Sequence, residues 1–214
     1  MFTGIVQGAF PAREVVHKDS ALSYAVELPE SLRADLKLGS SVSVDGVCQT
    51  VARLEGSLVG FDANDETLRV TTLGSLVDGA LAHIERSARQ GDENGGHVLS
   101  GHVDGTAEIA AVERTTENLT LTFRVPAELA RYVFNKGFIA LAGASLTVNR
   151  WDDTTQTFRV HLIPETLRLT TFGHKKPGDR VNLEIDRQTQ VIVDTIDRAI
   201  GRALQARDGT RRLP

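Results

Sequence analysis

The chain states one pattern twice. Glu66-Thr67-Leu68-Arg69-Val70-Thr71-Thr72-Leu73-Gly74 returns 99 positions later as Glu165-Thr166-Leu167-Arg168-Leu169-Thr170-Thr171-Phe172-Gly173. Further on, Gly79 matches Gly178 and Glu85 matches Glu184. Upstream, Asp45-Gly46-Val47-Cys48-Gln49-Thr50-Val51 answers Ala142-Gly143-Ala144-Ser145-Leu146-Thr147-Val148, and Phe2-Thr3-Gly4-Ile5-Val6-Gln7-Gly8 answers Leu99-Ser100-Gly101-His102-Val103-Asp104-Gly105. Solenoid units run to about 20–50 residues, so a repeat this long is a duplicated domain. The 214 residues then divide into two halves of about 95, each able to bury a modest core. Similar halves imply similar pockets, and so two similar ligands.

Both halves read as short strands cut by glycine and polar turns. Ser41–Val44 alternates, turns at Asp45-Gly46 and resumes at Val47–Ala52, a strong hairpin signal. Phe138–Leu141, Ala142-Gly143 and Ser145–Val148 repeat it. Tyr24–Leu28, Leu58–Phe61, Ala80–Glu85, Leu119–Val125, Thr157–Leu162 and Arg180–Ile185 are further strand candidates. Such spacing predicts a small barrel or sandwich in each half. Pro29–Leu36 and Pro126–Tyr132 predict matching short helices led by proline. Ala88–Gly96 is polar and glycine-rich, a linker. The tail, 188–206, has no counterpart after the first half. Ile192, Ile196, Ala199, Ile200, Ala203 and Leu204 fall on one helical face, which predicts a helix that packs on another chain rather than capping its own barrel. Residues 207–214 are expected to be a disordered tail.

Net charge of −4 and eight phenylalanines, two tyrosines and one tryptophan argue against nucleic acid as the partner. A single cysteine excludes an intrachain disulfide. No apolar run spans a bilayer and no signal peptide is legible, so a cytoplasmic location is expected.

Hydroxyls on strands can satisfy the polar edge of a heterocycle in an apolar pocket. Ser41, Cys48, Thr50, Asn64 and Thr67 in the first half, with Lys136, Ser145, Thr147 and Thr166 in the second, form such a set. A lone strand threonine would more often serve β propensity. His97 and His102 stand five apart at the start of the second repeat, but nothing nearby completes a tetrahedral site, so no metal is expected. His102 aligns with Ile5, which makes it specific to one half and a proton-transfer candidate. Cys48, aligned with Ser145, is equally a small filler or a site residue.

The motifs Met1-Phe2-Thr3-Gly4-Ile5-Val6, Cys48-x-Thr50-Val51, Gly95-Gly96-His97-x-x-Ser100-Gly101-His102-Val103, Gly143-x-Ser145-Leu146-Thr147-Val148 and the two Glu-Thr-Leu-Arg runs together resemble the riboflavin synthase family of the alpha-chain type, from Met1 to about Ile200. The resemblance implies an all-β chain: two tandem six-stranded Greek-key barrels, 1–97 and 98–187, with a C-terminal α-helix that holds a homotrimer. It implies a transferase without cofactor, acting at the last step of riboflavin biosynthesis. Two molecules of 6,7-dimethyl-8-ribityllumazine exchange a four-carbon unit, giving riboflavin and 5-amino-6-ribitylaminouracil. Lumazine synthase is raised as a partner.

By the same resemblance, the catalytic set is His102, Ser41, Cys48, Phe2, Ser145, Thr147 and Asp186. Ser41, Cys48 and His102 would surround one lumazine, and the wider substrate-binding set takes in Gln49, Thr50, Asp62, Ala63, Asn64, Asp65, Glu66 and Thr67, with His97, Gly101 and Val103. Gly4, Ile5 and Val6, with Lys136, Ser145, Thr147 and Thr166, would line the pocket for the other, and Leu146, Leu162, Ile163, Pro164 and Glu165 complete the substrate-binding set. Two departures stand out. Ala142 replaces the family's usual aspartate, and Gln49 a usual leucine. The alternative is a non-catalytic lumazine- or flavin-binding antenna protein of the same superfamily.

Overall fold

A computed structural model describes residues 1–115 and 118–210, the last five by backbone alone. In the first half β1 (Gly8–Lys18), β2 (Ala21–Glu27), β3 (Ser41–Val44), β4 (Val47–Glu55), β5 (Leu58–Asn64) and β6 (Leu81–Arg86) close into a barrel of order β1-β2-β5-β4-β3-β6. A one-turn helix, α1 (Glu30–Arg33), joins β2 to β3, and α2 (Asp65–Val70) follows β5.

The second half repeats this with β7 (Gly105–Arg114), β8 (Leu119–Arg124), α3 (Ala127–Ala130), β9 (Phe138–Leu141), β10 (Ala144–Thr147), β11 (Asn149–Asp152), β12 (Thr157–Leu162), α4 (Pro164–Leu169) and β13 (Arg180–Ile185). Its order is β10-β9-β13-β7-β8-β12-β11. Seven strands stand where six are expected. The extra one arises because β10 and β11 are two pieces of the strand that corresponds to β4. Arg150 takes a φ of 51°, and the register against β12 slips between Asn149 and Asp152. β4 absorbs its own slip, between Val51 and Arg53, as a bulge without breaking.

Both expected hairpins form. Asp45 and Gly46 (φ 48° and 83°) and Ala142 and Gly143 (φ 44° and 81°) occupy the two left-handed positions of a tight turn. The tips meet: a Cβ on Gly46 would lie 2.5 Å from the Gly143 nitrogen. Strand alternation turns Val42, Val44, Val59, Phe61 and Ile84 into the first barrel, and Ile109, Leu121, Phe123, Phe158 and Val160 into the second. Two residues cross over. Val6 belongs to the second core, and Val103 packs against the first.

The last helix, α5, runs Arg187–Thr210, longer at both ends than expected. Residues 211–214 of the expected disordered tail lie outside the described residues. The Tyr132 hydroxyl donates to Asp194 at 2.7 Å, and Arg131 pairs with Asp194 (3.4 Å) and Asp197. These contacts hold one side of α5 to its own barrel. Val191, Ile192, Ile196, Ile200 and Leu204 stay more than half exposed. Among the described residues, no helix is long and apolar enough to cross a membrane.

Candidate functional site

The site begins where the two halves touch through their leading segments. Phe2 and Leu99 exchange backbone hydrogen bonds of 2.8 and 3.0 Å. With Ala140 and Cys48 they form a small apolar cluster between the barrels. From this pair each segment enters the opposite barrel. The Gly4 carbonyl accepts from the Ser145 amide at 2.8 Å, and the Gly101 carbonyl from the Cys48 amide at 2.8 Å. Glycine is required at both positions. φ is +76° and +77°, and a Cβ would stand 2.5 Å from that of Ser145 or 2.6 Å from that of Cys48.

Two buried glutamates hold these segments. Glu85 accepts from Thr3 N (2.6 Å), Thr3 Oγ1 (2.8 Å) and Gly4 N (3.1 Å). Glu184 accepts from Ser100 N (2.8 Å), Ser100 Oγ (2.6 Å) and Gly101 N (3.0 Å). Burial pushes the Glu85 carboxyl above its usual range, against those donors. The repeat register pairs the two glutamates, but their task is visible only in three dimensions.

In the second half this arrangement encloses a cavity of about 180 Å³ between Gly4, Ile5 and Val6, strand β10 and helix α4. Ser145, Leu146, Ile163, Glu165 and Thr166 line it, together with Ala144, Leu169 and Thr170, which are not among the expected site residues. Above Ser145 lies the joint between the halves. The His97 Nδ1 is 2.6 Å from the Ser145 Oγ, and its ring stacks on Phe138 at 5.1 Å. Burial lowers the His97 pKa, an effect opposed by the charge of Asp186. Its Nε2 is buried with no partner among the described residues. Gly96 makes this possible, since a side chain there would run into the Thr3 carbonyl and Ser145.

The other expected residues of this side are spread more widely. Thr147 is exposed on β10, and Lys136 Nζ donates to Asn149 at 2.9 Å. Pro164 is the first residue of α4, and Leu162 is buried in the second core. Asp186 caps α5 by accepting from Thr189 N (3.1 Å) and Thr189 Oγ1 (2.7 Å).

Around the first barrel, Gly101, His102 and Val103 stand beside Cys48 as Gly4, Ile5 and Val6 stand beside Ser145. Ser41 pairs with Thr50 across β3 and β4. Asn64 caps α2, its Oδ1 accepting from Thr67 N at 3.0 Å. Asp62, Asp65 and the Glu66 side chain, which pairs with Arg69, are exposed; Ala63 faces the core. Phe2 is buried and offers packing rather than a polar group. Gln49 is also buried, and its Oε1 has no partner among the described residues. His102 is exposed. No histidine is hydrogen-bonded to Cys48 among the described residues, so the surroundings of Cys48 and Ser145 differ in their chemistry.

Sequence reasoning missed His83 and Asn182, which occupy matched positions. His83 Nδ1 donates to the Ala142 carbonyl (2.9 Å), and its Nε2 accepts from Thr171 N (2.8 Å). Asn182 donates to the Asp45 carbonyl (2.8 Å) and accepts from Thr72 N (2.7 Å). Each ties the other half's hairpin to the 3₁₀ turn that follows its helix, Thr171–His174 after α4 and Thr72–Ser75 after α2. Asp45 in turn accepts from His83 N at 2.8 Å, so a carboxylate here locks a turn; Ala142 offers no such acceptor.

A family model described as "Lumazine binding domain" matches residues 3–87 and again 100–186. The chain belongs to this lumazine-binding domain family, one repeat per barrel. It is 46% identical to a riboflavin synthase of Escherichia coli (strain K12) over 201 residues, 94% of this chain and 93% of the relative. It is 42% identical to a riboflavin synthase of Chlamydia pneumoniae over 200 residues, 94% of this chain and 97% of the relative. In fold it matches LumP complexed with riboflavin, with a TM-score of 0.81 at 24% identity over 87% of this chain and all of that one. LumP complexed with 6,7-dimethyl-8-(1'-D-ribityl) lumazine matches with a TM-score of 0.79 over the same shares.

Proposed function

We propose that this chain is a transferase that carries out the riboflavin synthase reaction. Two molecules of 6,7-dimethyl-8-ribityllumazine dismutate by four-carbon transfer to riboflavin and 5-amino-6-ribitylaminouracil. The two products together contain all the atoms of two substrates, so no oxidant or other co-reactant is consumed. The observation that carries this reading is a paired architecture with unequal chemistry. Each barrel receives a glycine-led segment from the other half, yet the His97–Ser145 pair stands at one and the exposed His102 at the other.

Donor and acceptor are the same compound, so near-identical cradles suit both, and the differences assign the roles. One lumazine loses a proton from its C7 methyl group, and the other accepts a nucleophile at C7. His97, kept neutral near pH 7 by burial, can take a proton through Ser145, an acid–base contribution of about 10²–10⁴-fold. Ser41, Cys48 and His102 surround the second molecule, with Thr50, Asn64 and Thr67 at its edge.

In this reading the barrels of 1–97 and 98–187 are the functional units. The helix of 188–206 joins three chains through its uncovered apolar stripe. The first barrel of one subunit then faces the second barrel of another. Holding two rings face to face in this way is worth up to roughly 7–11 kcal/mol of orientation. A cytoplasmic location and an association with lumazine synthase complete the proposal.

Incubating the purified chain with the lumazine alone, and following riboflavin absorbance and fluorescence, tests it. Riboflavin formation supports the reading. Tight binding with a flat trace would indicate the antenna function instead.

A further inference from the structure

We propose that Arg187 is a positioning residue for His102, and that through it the first turn of α5 sets the geometry of the first-barrel pocket. The inference rests on the reaction proposed above and deepens it.

The His102 ring is exposed and makes no side-chain hydrogen bond among the described residues, so its place depends on its backbone. That backbone is held at both ends. The His102 amide donates to Ser100 Oγ at 3.2 Å, and Ser100 is itself fixed by Glu184. The His102 carbonyl accepts from one terminal nitrogen of the Arg187 guanidinium. The other terminal nitrogen donates to Asp104 Oδ1 (2.8 Å) and Gln190 Oε1 (2.6 Å). Asp104 Oδ2 accepts from the Ile185 amide at 2.8 Å, so its carboxylate is anchored to β13 before it meets the arginine.

The duplication supplies an internal control. Ile5 stands where His102 stands, Gln7 where Asp104 stands, and Ala88 where Arg187 stands. The scaffold is the same: Ile5 N donates to Thr3 Oγ1 at 3.3 Å, and Gln7 accepts from Arg86 N at 2.8 Å, as Asp104 does from Ile185. What the first half lacks is the cation and its carboxylate. The clamp is present only where the residue it clamps is a histidine. A planar fork is suited to this task, because it spans a carboxylate and a carbonyl from one rigid plane; a lysine offers a single ammonium.

The test is a double-mutant cycle of Arg187→Gln and His102→Gln in the full chain, with Arg187→Lys as a third variant. In the wild-type background Arg187→Gln should lower kcat about tenfold with KM changed less than about twofold, as a misplacement of under an ångström does. Arg187→Lys keeps the charge beside Asp104, so it guards against a folding failure, and should lose nearly as much. In the His102→Gln background Arg187→Gln should cost nothing further, because it acts through that histidine.

Equal losses in both backgrounds overturn the proposal, as does wild-type kcat in Arg187→Lys. The cycle is also read in the dissociation constant for riboflavin. If the wild-type chain forms no riboflavin, the reaction assigned above fails. The clamp is then judged on binding: a loss in Arg187→Gln that vanishes in the His102→Gln background sustains it, and no loss, or an equal loss in both backgrounds, overturns it.

Discussion

Replacing Gly4 by alanine should damage one pocket and spare the other. Two costs add. A φ of +76° puts an alanine in the left-handed region, at roughly 1–2 kcal/mol. The new Cβ would lie 2.5 Å from Ser145 Cβ and 2.9 Å from Ser145 N and Leu99 Cδ1, and such overpacking costs about 1–3 kcal/mol. The sum, about 2–5 kcal/mol, is within the roughly 5–15 kcal/mol that folded proteins possess, so the variant should fold. Relief must move Ser145, whose Oγ is 2.6 Å from His97. Gly4→Ala should therefore abolish ligand binding beside β10 while leaving binding beside Cys48 intact. Gly101→Ala should do the reverse. Riboflavin fluorescence titration counts the surviving sites, and urea unfolding gives the stability loss. A Gly4→Ala chain that keeps both sites, or loses less than about 0.5 kcal/mol as an ordinary surface change does, would show that Gly4 does not shape the pocket.

Other outcomes follow from the same geometry. His102→Gln and Ser41→Ala should slow turnover more than they weaken binding, and equal losses would contradict their roles. Burial lowers the His83 and His97 pKa values, so the unfolded chain binds more protons as pH falls through about 6.5. Their contribution to stability is full above that pH and is lost on acidification towards the folded values. Glu85, raised by burial, acts oppositely: the stability it lends in acid fades as pH rises through its unfolded value towards the folded one. His83→Asn, which installs the residue found at the matching position 182, should fold and flatten the decline of urea midpoint below pH 6.5; an unchanged slope would deny His83 that part. Truncation before Gln188 should yield monomers by sedimentation.

The parts of the fold most legible in the sequence are those set by local chemistry. Asp45-Gly46 marks a hairpin because both residues tolerate the positive φ that the turn demands, and Ala142-Gly143 is legible through its match to that pair in the repeat. The strands β1 and β7 were not legible. β1 carries Pro11 and a bulge at Glu14, and β7 mixes small and charged residues, so neither shows an apolar alternation. The Glu-Thr-Leu-Arg runs are single short helices, too brief to show a 3.6-residue period. α1 and α3 stop after one turn because little of either is buried.

For the site, the repeat announced two pockets, and Ser145, Gly4 and Glu165 do meet at one cavity. The His97–Ser145 bond spans 48 positions and the Glu85–Thr3 knot 82. Contacts of that range have no local signature, so both are visible only in the folded chain.

One chain should offer two cradles for one compound. Equilibrium titration of the purified chain with 6,7-dimethyl-8-ribityllumazine, counting bound ligand per chain, measures their number. Two sites per chain, one of them lost in Gly4→Ala and the other in Gly101→Ala, is the predicted result. A single site per chain, or two that vanish together in either variant, would contradict it.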